Sequence, residues 1–409
     1  MRKFYNNAIY IITLLFAFFF ALLPSYGRIN PDLFIYLLIL LFLFAFIAIP
    51  KERSKIINDI KKILIKDKIF ISLIILNLLM YFSYFVAVNK STTISHSIRF
   101  SMYLFLFYLI SYKFNKKQII RILASVLSSS IIVSIIALYQ AISNKLIGNR
   151  IDVDHRIIST LENSNNLGVY SILIIFIFIM LLIKSNNKKL KIISFISTLL
   201  MLFNIIVSQS RNAMLALIAG FVILIFFYNK KYVLYSAILP IILLILPQTR
   251  GRLLDIFDMT QNSSRLKIWK LTEIMINDNH QLFGIGYENY VIEYPRYLEN
   301  NLTYFVRQSL KAQHPHNALL KFQVELGVFG SIAFIAFILI SIWCFYKYVI
   351  KNLNSDYSYI YLGIFTSFIC FKLMNIIDSY YGPIKIMYSF FILIGILNNN
   401  LLRVKDKSI

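Results

Sequence analysis

Apolar runs, each long enough to cross a bilayer as a helix, alternate with short polar segments along most of the chain. A membrane-spanning helix needs about 20 mainly apolar residues, and hydrophobic runs of that length indicate spans. The pattern therefore predicts an all-α, polytopic integral membrane protein with about twelve transmembrane helices. The predicted spans are residues 8–24, 31–50, 69–88, 97–112, 119–142, 167–183, 192–208, 212–228, 232–247, 325–346, 357–377 and 384–402.

One long polar stretch, from Gln248 to Phe322, interrupts this pattern between the ninth and tenth predicted spans. A segment of this length is too long for a turn between helices, so we expect it to fold outside the membrane and to have its own function. The sequence thus predicts three parts. They are residues 1–247 with spans one to nine, the extracytoplasmic segment 248–322, and residues 323–409 with spans ten to twelve.

The long polar stretch contains its own helix and turn signals. The serine pair 263–264 precedes a periodic run, which predicts a helix that starts after a capping serine and lies along the membrane surface. Gly284-Ile285-Gly286 predicts a turn, and residues 317–327 predict a short helix that ends at glycine. The residues expected to share one face of the first helix are Leu266, Trp269 and Ile276.

Composition and charge support the membrane prediction. Hydrophobic residues make up 59% of the chain and charged residues 15%, which excludes an ordinary soluble globular protein. The formal net charge is +24, and more than half of the 42 Lys and Arg residues lie in alternate short connections between predicted spans. Short basic connections stay in the cytoplasm, so we predict that both termini are cytoplasmic and that segment 248–322 is outside. Membrane lipids are the expected partners of this charge, and no nucleic acid is expected.

Three arginines on the predicted outer side are candidates for binding an anion. Arg211 precedes span 212–228, where an unpaired charge is costly, although snorkelling to water or to lipid phosphate is the alternative. Arg99 lies inside span 97–112, where a buried anion or carboxylate partner competes with snorkelling. Arg265 lies in the long polar segment, where an exposed salt bridge is the ordinary alternative. Together, the three guanidinium groups could bind a diphosphate through paired hydrogen bonds.

His314 and His316 flank a proline just before the tenth predicted span. A histidine can accept a proton from a hydroxyl group near neutral pH. The alternatives are a structural role and a metal site, but helical zinc ligands fall at positions i and i+4, and no cysteine lies nearby. We therefore expect no metal. Asp378, at the outer end of the eleventh span, could orient a base, pair with an arginine or simply be solvated.

Three sequence elements resemble the O-antigen ligase and polymerase family of bacterial envelope glycosyltransferases. The first is Ser208-Gln209-Ser210-Arg211 before an apolar span, which resembles the Ser/Thr-Arg element of the family. The second, Arg265-x-x-x-Trp269 with Phe283-Gly284-Ile285-Gly286, resembles its loop. The third, His314-Pro315-His316-Asn317 followed by Glu325 to Gly330, resembles its closing histidine segment. The topology extends the resemblance over most of the chain, and Glu162 to Asn166 is a looser match.

The resemblance implies a glycosyltransferase of the bacterial cytoplasmic membrane. Apart from residues 152–154, the predicted outer loops contain no Asp-x-Asp motif for a metal-bound diphosphate, so metal-independent transfer is favoured. A single displacement would invert the sugar configuration, and the sugar diphosphate bond would supply the energy without a cofactor. The resemblance also implies that a glycan moves from a polyprenyl-diphosphate-linked oligosaccharide donor to the hydroxyl of an acceptor, which can be another glycan, a lipid such as lipid A core, or a protein. His316 would be the base, with His314 as its alternative, and Arg211 and Arg265 would bind the diphosphate. Arg99 and Asp378 are weaker correspondences.

Several functions remain compatible with these motifs. A polymerase that joins one glycan to another is favoured, because a ligase acting on lipid A core requires a Gram-negative envelope that the sequence does not establish. The ligase is the close alternative. A lipid-linked oligosaccharide flippase belongs to a different class, and the sparse charges within the spans, together with one large outer segment, argue against transport.

Overall fold

The computed structural model describes residues 1–146, 148, 155–245, 247–255, 259–278, 281–306, 314–350 and 358–407. Over these ranges the chain forms helices and no strands, which confirms the all-α prediction. The α-helices are α1 (Arg2–Phe19), α2 (Asp32–Ala48), α3 (Pro50–Lys66), α4 (Lys68–Phe82), α5 (Lys90–Tyr108), α6 (Lys116–Leu146), α7 (Ser164–Lys184), α8 (Lys188–Val207), α9 (Arg211–Tyr228), α10 (Ile238–Ile245), α11 (Pro247–Leu254), α12 (Met259–Asn277), α13 (Tyr290–Asn300), α14 (Ala318–Phe345), α15 (Ser358–Met374) and α16 (Ile384–Lys407).

The helices identify a multi-pass membrane protein. Among the described residues, eight helical segments are long and apolar enough to cross a membrane, or nine if the bent pair α2–α3 counts as one span. These eight are built from α4, α5, α6, α7, α8, α9, α14 and α16, and each overlaps a predicted span. Predicted span 232–247 falls on a 3₁₀ segment and on α10, which has 8 residues. The twelve-span count therefore stays a prediction.

The centre of the bundle is built from α7, α15 and α16. In α7, all residues from Leu167 to Leu181 are buried. In α16, 94% of the most apolar 18-residue segment is buried. By contrast, only 33% of the most apolar 18-residue segment of α8 is buried. A helix that is apolar all round can be covered on every side by other helices, whereas a peripheral helix leaves apolar residues facing the lipid.

A second, smaller hydrophobic core joins α12 and α13 to the beginning of α14. Its buried members are Ile268, Leu271, Met275, Ile285, Tyr290, Tyr294, Leu298 and Val324. The predicted helix in the long polar stretch is thus present, but the predicted start after the serine pair 263–264 is wrong, because α12 begins at Met259. Serine also fits within the early turns of a helix, so a local capping signal alone does not set the boundary.

α14 is interrupted at Gly327, and the turn before α13 packs against this interruption. Gly284 and Gly286 have φ angles of 71° and 98°, which confirms the predicted turn. Gly327 interrupts the helical geometry of α14 with φ 70°, which confirms the predicted end of a short helix at this glycine. A Cβ at Gly327 would lie 2.1 Å from the carbonyl oxygen of Leu282, so only glycine allows this approach. The contact fixes the first turns of α14 against the second core.

Candidate functional site

A histidine and an aspartate meet where α14 begins and α15 ends. His316 lies just before Asn317, whose side chain caps α14 by accepting a hydrogen bond from Leu320 N. The Nδ1 atom of His316 lies 3.0 Å from Oδ1 of Asp378. Asp378 is buried, and its other oxygen, Oδ2, accepts a hydrogen bond from the Tyr380 hydroxyl at 3.1 Å. The fold therefore brings together two residues that are 62 positions apart in sequence.

The charge on Asp378 decides which nitrogen of His316 carries the proton. Burial alone would raise the pKa of Asp378, but the hydrogen bond from His316 and the charges of His316, His314 and Arg265 hold it well below its usual value. Asp378 is therefore ionised at neutral pH, and Nδ1 of His316 donates to it. This leaves Nε2 of His316 as the proton acceptor of the ring, and 29% of the side chain is exposed.

His314 occupies a different position in the same cluster. Its Nδ1 accepts a hydrogen bond from the backbone N–H of His316 at 3.2 Å, and this nitrogen lies 3.9 Å from Asp378 Oδ1. Burial lowers the pKa of His314 to about 4, so the ring is neutral at neutral pH. His316 has a left-handed backbone with φ 50°, which costs free energy in a residue other than glycine. The hydrogen bond to His314 helps to hold that conformation.

The depressed pKa of His314 predicts a pH-dependent stability. The folded state takes up the His314 proton near pH 4, whereas the unfolded chain takes it up near pH 6.5, so stability should fall as the pH drops between these values. His314→Gln keeps an acceptor for the His316 backbone N–H and should reduce this fall. The melting temperature of the purified protein at pH 6.5 and 4.5 measures it. The exposed His155→Gln variant is the control, and an equal fall in wild type and His314→Gln would contradict the prediction.

Asparagine side chains join the helix ends that carry this cluster. Asn212 of α9 donates to the backbone carbonyl of Met374 at 2.8 Å and to the Tyr380 hydroxyl at 3.5 Å. Asn375 accepts from Tyr380 N through its side chain at 2.8 Å, and its carbonyl accepts from Ala318 N at 2.9 Å. Because each asparagine uses its hydrogen-bonding groups, α9, α14 and the end of α15 are held in a defined arrangement.

The turn before α9 places Arg211 at the first position of that helix. Gln209 has a left-handed backbone with φ 51°. The Ser210 hydroxyl caps α9 by accepting a hydrogen bond from Ala213 N at 3.4 Å. Gly168 of α7 lets the turn come close, because a Cβ there would lie 2.8 Å from Ala213 Cβ and 3.1 Å from Ser210 Cβ. The motif at 208–211 is therefore a shaped turn packed on the central helix.

Arg211 and Arg265 line the same cavity of about 350 Å³. Arg211 also donates from Nη1 to the carbonyl of Asp255 at 3.1 Å. The other residues of the cavity are mainly apolar, and they are Asn212, Leu215, Leu266, Trp269 and Ile377. Ile377 immediately precedes Asp378, and the charge of Arg265 acts on Asp378, so the cavity lies near the histidine–aspartate cluster. The structure thus brings two of the three predicted arginines together beside the predicted histidine.

Two further arginines support the turn, although neither belongs to a motif that predicts a site residue. Arg156 donates to the Ser208 carbonyl at 2.7 Å and to Asn165 Oδ1 at 2.5 Å. Arg252 donates from Nε and Nη2 to the Gln209 carbonyl, both at 3.1 Å. Burial, together with the nearby charge of Arg252, lowers the pKa of Arg156 to about 10. The loosely matching element at 162–166 was the only sequence signal near Arg156.

Arg99 has a carboxylate partner within the helical bundle. Its Nη1 donates to Asp32 Oδ2 at 2.8 Å, and Asp32 also accepts a hydrogen bond from the Tyr388 hydroxyl. Over the described ranges, no direct contact links Arg99 to Arg211 or Arg265. The predicted carboxylate partner is therefore present, and a part for Arg99 in binding a diphosphate stays a prediction.

The histidine–aspartate cluster also has the spacing of a small metal site. One ligand atom each from His314, His316 and Asp378 lies within 4.8 Å of the others. The hydrogen bonds that join the three residues account for both Nδ1 atoms, as in a base oriented by a carboxylate. The expected absence of a metal stays a prediction, which a chelator tests below.

Comparison with known proteins identifies one family. Residues 196–335 match the family model described as O-Antigen ligase, which confirms the resemblance drawn from the motifs. The matched range contains Arg211, Arg265 and His316, whereas Asp378 lies beyond its end. No curated protein matches the chain.

Proposed function

Because this chain carries an O-antigen ligase family domain in residues 196–335, we propose that it transfers a glycan from a polyprenyl-diphosphate carrier to an acceptor hydroxyl. The main observation that supports this proposal is the cavity lined by Arg211 and Arg265. Such a donor joins a charged diphosphate to an apolar chain, and the cavity pairs two guanidinium groups with Leu215, Leu266 and Trp269. Guanidinium groups bind phosphate oxygens in pairs, and the apolar wall suits the first prenyl units.

His316 is the proposed general base. Its Nδ1 donates to the ionised Asp378 at 3.0 Å, so the ring is held with Nε2 as the acceptor for the proton of the incoming hydroxyl. Asp378 is a positioning residue that also stabilises the imidazolium formed during transfer. His314 already uses Nδ1 to accept from the His316 backbone, and its low pKa disfavours the protonated state that a base must reach.

The reaction proceeds as a single displacement at the anomeric carbon of the donor sugar. The acceptor oxygen forms a bond to C1 as its proton passes to His316 Nε2. The bond between C1 and the phosphate oxygen breaks, and its electron pair leaves with the diphosphate. Arg211 and Arg265 stabilise the charge that develops on the leaving group. One displacement inverts the anomeric configuration, and the sugar diphosphate bond supplies the energy.

We favour a polymerase, in which the acceptor is another carrier-linked glycan. A ligase that transfers the glycan to a lipid acceptor is the second candidate, supported by the description of the matched family. For either reaction, we place the site on the outer face of a bacterial cytoplasmic membrane with both termini in the cytoplasm. The basic connections between the predicted spans support this orientation.

Surface glycan in a deletion strain tests the proposed function. The strain is complemented with wild type, Arg265→Ala or His316→Ala, and carrier-linked and surface glycans are separated by size. Single repeat units that remain on the carrier in the variants are the expected result for a polymerase. Full-length chains left on polyprenyl diphosphate would identify a ligase, and repeat units trapped in the cytoplasmic leaflet a flippase. Unchanged glycan in every strain would refute glycan transfer.

A further inference from the structure

A second feature, separate from the arginine cavity, lies where α2 turns into α3. The two helices meet at Ile49 with a bend of 110°, and Pro50 occupies the first turn of α3. Asp67 then separates α3 from α4, which is long enough to cross the membrane when its 3₁₀ extension, Ser83–Phe85, is included. α3 therefore turns sharply away from the direction of α2 and joins two strongly apolar helices, which is the geometry expected of a helix that runs along a membrane surface.

The acidic residues of α3 face the protein. Glu52 is fully buried and accepts from Arg2 Nε at 2.6 Å and from Lys113 Nζ at 3.5 Å. Asp59 is buried as well and accepts from the Tyr108 hydroxyl at 2.9 Å. These carboxylates therefore interact with groups inside the bundle and do not offset positive charge on the outward side of the helix.

Four of the five lysines of α3 form a stripe along the helix, next to the buried acidic positions. Positions 51, 55, 62 and 66 repeat at intervals of 4, 7 and 4 residues, and such intervals place side chains on one side of a helix. Lys51, Lys62 and Lys66 are exposed. Another face of the same helix exposes the apolar side chains of Ile57, Ile60 and Leu64, together with Arg53, which donates to the carbonyls of Phe46 and Ile47. A helix that exposes both a basic stripe and apolar side chains is typical of a membrane interface.

An apolar hollow opens beside this helix. Its volume is about 280 Å³, and α2, α3, α4 and α5 all contribute to it. Its lining is Phe42, Ile56, Ile60, Ile63, Leu64, Phe70, Ile74, Leu104, Phe105 and Tyr108. Such a lining fits a hydrocarbon chain, because a hydrocarbon chain has no polar group that would need a hydrogen-bond partner. Charge and hydrophobicity thus occur together at one end of the bundle.

We propose that α3 and this hollow bind an anionic phospholipid of the membrane. One acyl chain of the lipid occupies the hollow, and the lysine stripe contacts the phosphate of its headgroup and of neighbouring anionic lipids. The site does not depend on the proposed glycan transfer, because none of its residues lines the arginine cavity or contacts the histidine–aspartate cluster. It would anchor the connection between α2 and α4 against the bilayer surface.

Lipid binding by the purified full-length protein tests this proposal. The protein in detergent is titrated with phosphatidylglycerol or phosphatidylcholine, and bound lipid is counted by native mass spectrometry. We expect clear preference for phosphatidylglycerol and an affinity about 25-fold weaker in Lys51→Gln/Lys62→Gln, because each lysine near an anionic surface contributes about fivefold. The matched control is Lys188→Gln/Lys189→Gln, which removes two exposed lysines at the beginning of α8 and should keep the wild-type affinity.

A second variant tests the contribution of the acyl chain to binding separately from that of the headgroup. Ile60→Trp keeps every lysine but fills part of the hollow, so it should also weaken phosphatidylglycerol binding. Inorganic phosphate at the same concentration should not displace the lipid. The proposal is overturned if both lysine pairs weaken binding equally, if the two lipids bind alike, if Ile60→Trp has no effect, or if phosphate alone displaces the lipid.

Discussion

Replacing His316 with glutamine should lower glycan transfer by about 10²- to 10⁴-fold, the usual contribution of a general base. Glutamine cannot take the hydroxyl proton, although it can keep a hydrogen bond to Asp378. Asp378→Asn should cause a loss of similar order, because the neutral amide no longer fixes the ring with Nε2 as acceptor or stabilises the imidazolium. The measurement is the rate of transfer by reconstituted protein with a carrier-linked donor, at equal amounts of folded protein.

His314→Gln is the matched control for this experiment. His314 lies in the same cluster, but its Nδ1 accepts a backbone hydrogen bond, so its replacement should cost far less activity than that of His316. A larger loss in His314→Gln than in His316→Gln would exchange their proposed roles. A chelator should leave the wild-type rate unchanged. Loss of activity with the chelator, restored by a divalent metal, would show that the reaction depends on a metal ion, for which His314, His316 and Asp378 are the candidate ligands.

Replacing Arg265 with alanine should weaken binding of the diphosphate donor by about tenfold to 150-fold. A hydrogen bond between charged groups contributes about 1.5 to 3 kcal/mol, and the cavity that Arg265 shares with Arg211 is otherwise mainly apolar. Arg265→Lys should recover only part of the affinity, because an ammonium group cannot form the paired hydrogen bonds of a guanidinium. Binding of undecaprenyl diphosphate to the purified protein measures the effect without requiring turnover.

Arg296→Ala provides a matched control on the same polar stretch. Arg296 forms a salt bridge with the buried Glu293 at 2.8 Å, and 66% of the Arg296 side chain is exposed. Arg296 does not line the cavity that contains Arg265, so donor affinity should stay close to wild type. Equal losses in Arg265→Ala and Arg296→Ala would indicate a diffuse charge effect and contradict a specific diphosphate site. Arg211→Ala is less diagnostic, because Arg211 also donates to the Asp255 carbonyl.

The fold class could be predicted because its signals are local. An apolar run of about 20 residues must be a helix in a bilayer, since its backbone groups find no other partners there. Glycine signals were equally local, and the turn at Gly284 and the break at Gly327 occur where they were predicted. The start of α12 was missed, because many residue types tolerate the first turn of a helix.

The sequence did not predict which of the arginines would come together in the site. Arg99, Arg211 and Arg265 were equivalent candidates by residue type and predicted side. In the fold, Arg99 pairs with Asp32, whereas Arg211 and Arg265 share a cavity. Neither Arg156 nor Arg252 belongs to a recognised motif. Both nevertheless donate hydrogen bonds to backbone carbonyls of the turn that precedes Arg211. Such partners come from distant segments, so spacing along one segment cannot reveal them.

The sequence by itself determined a helical membrane protein, one long polar segment and the residue types available for the chemistry. These properties depend on interactions between neighbouring residues and the solvent around them. Only the tertiary structure decided that Asp378 contacts His316 and that Arg211 faces the same cavity as Arg265. Those contacts join α9, α12, α14 and the end of α15, because each helix buries its own apolar surface against the others and brings its polar end to a common point.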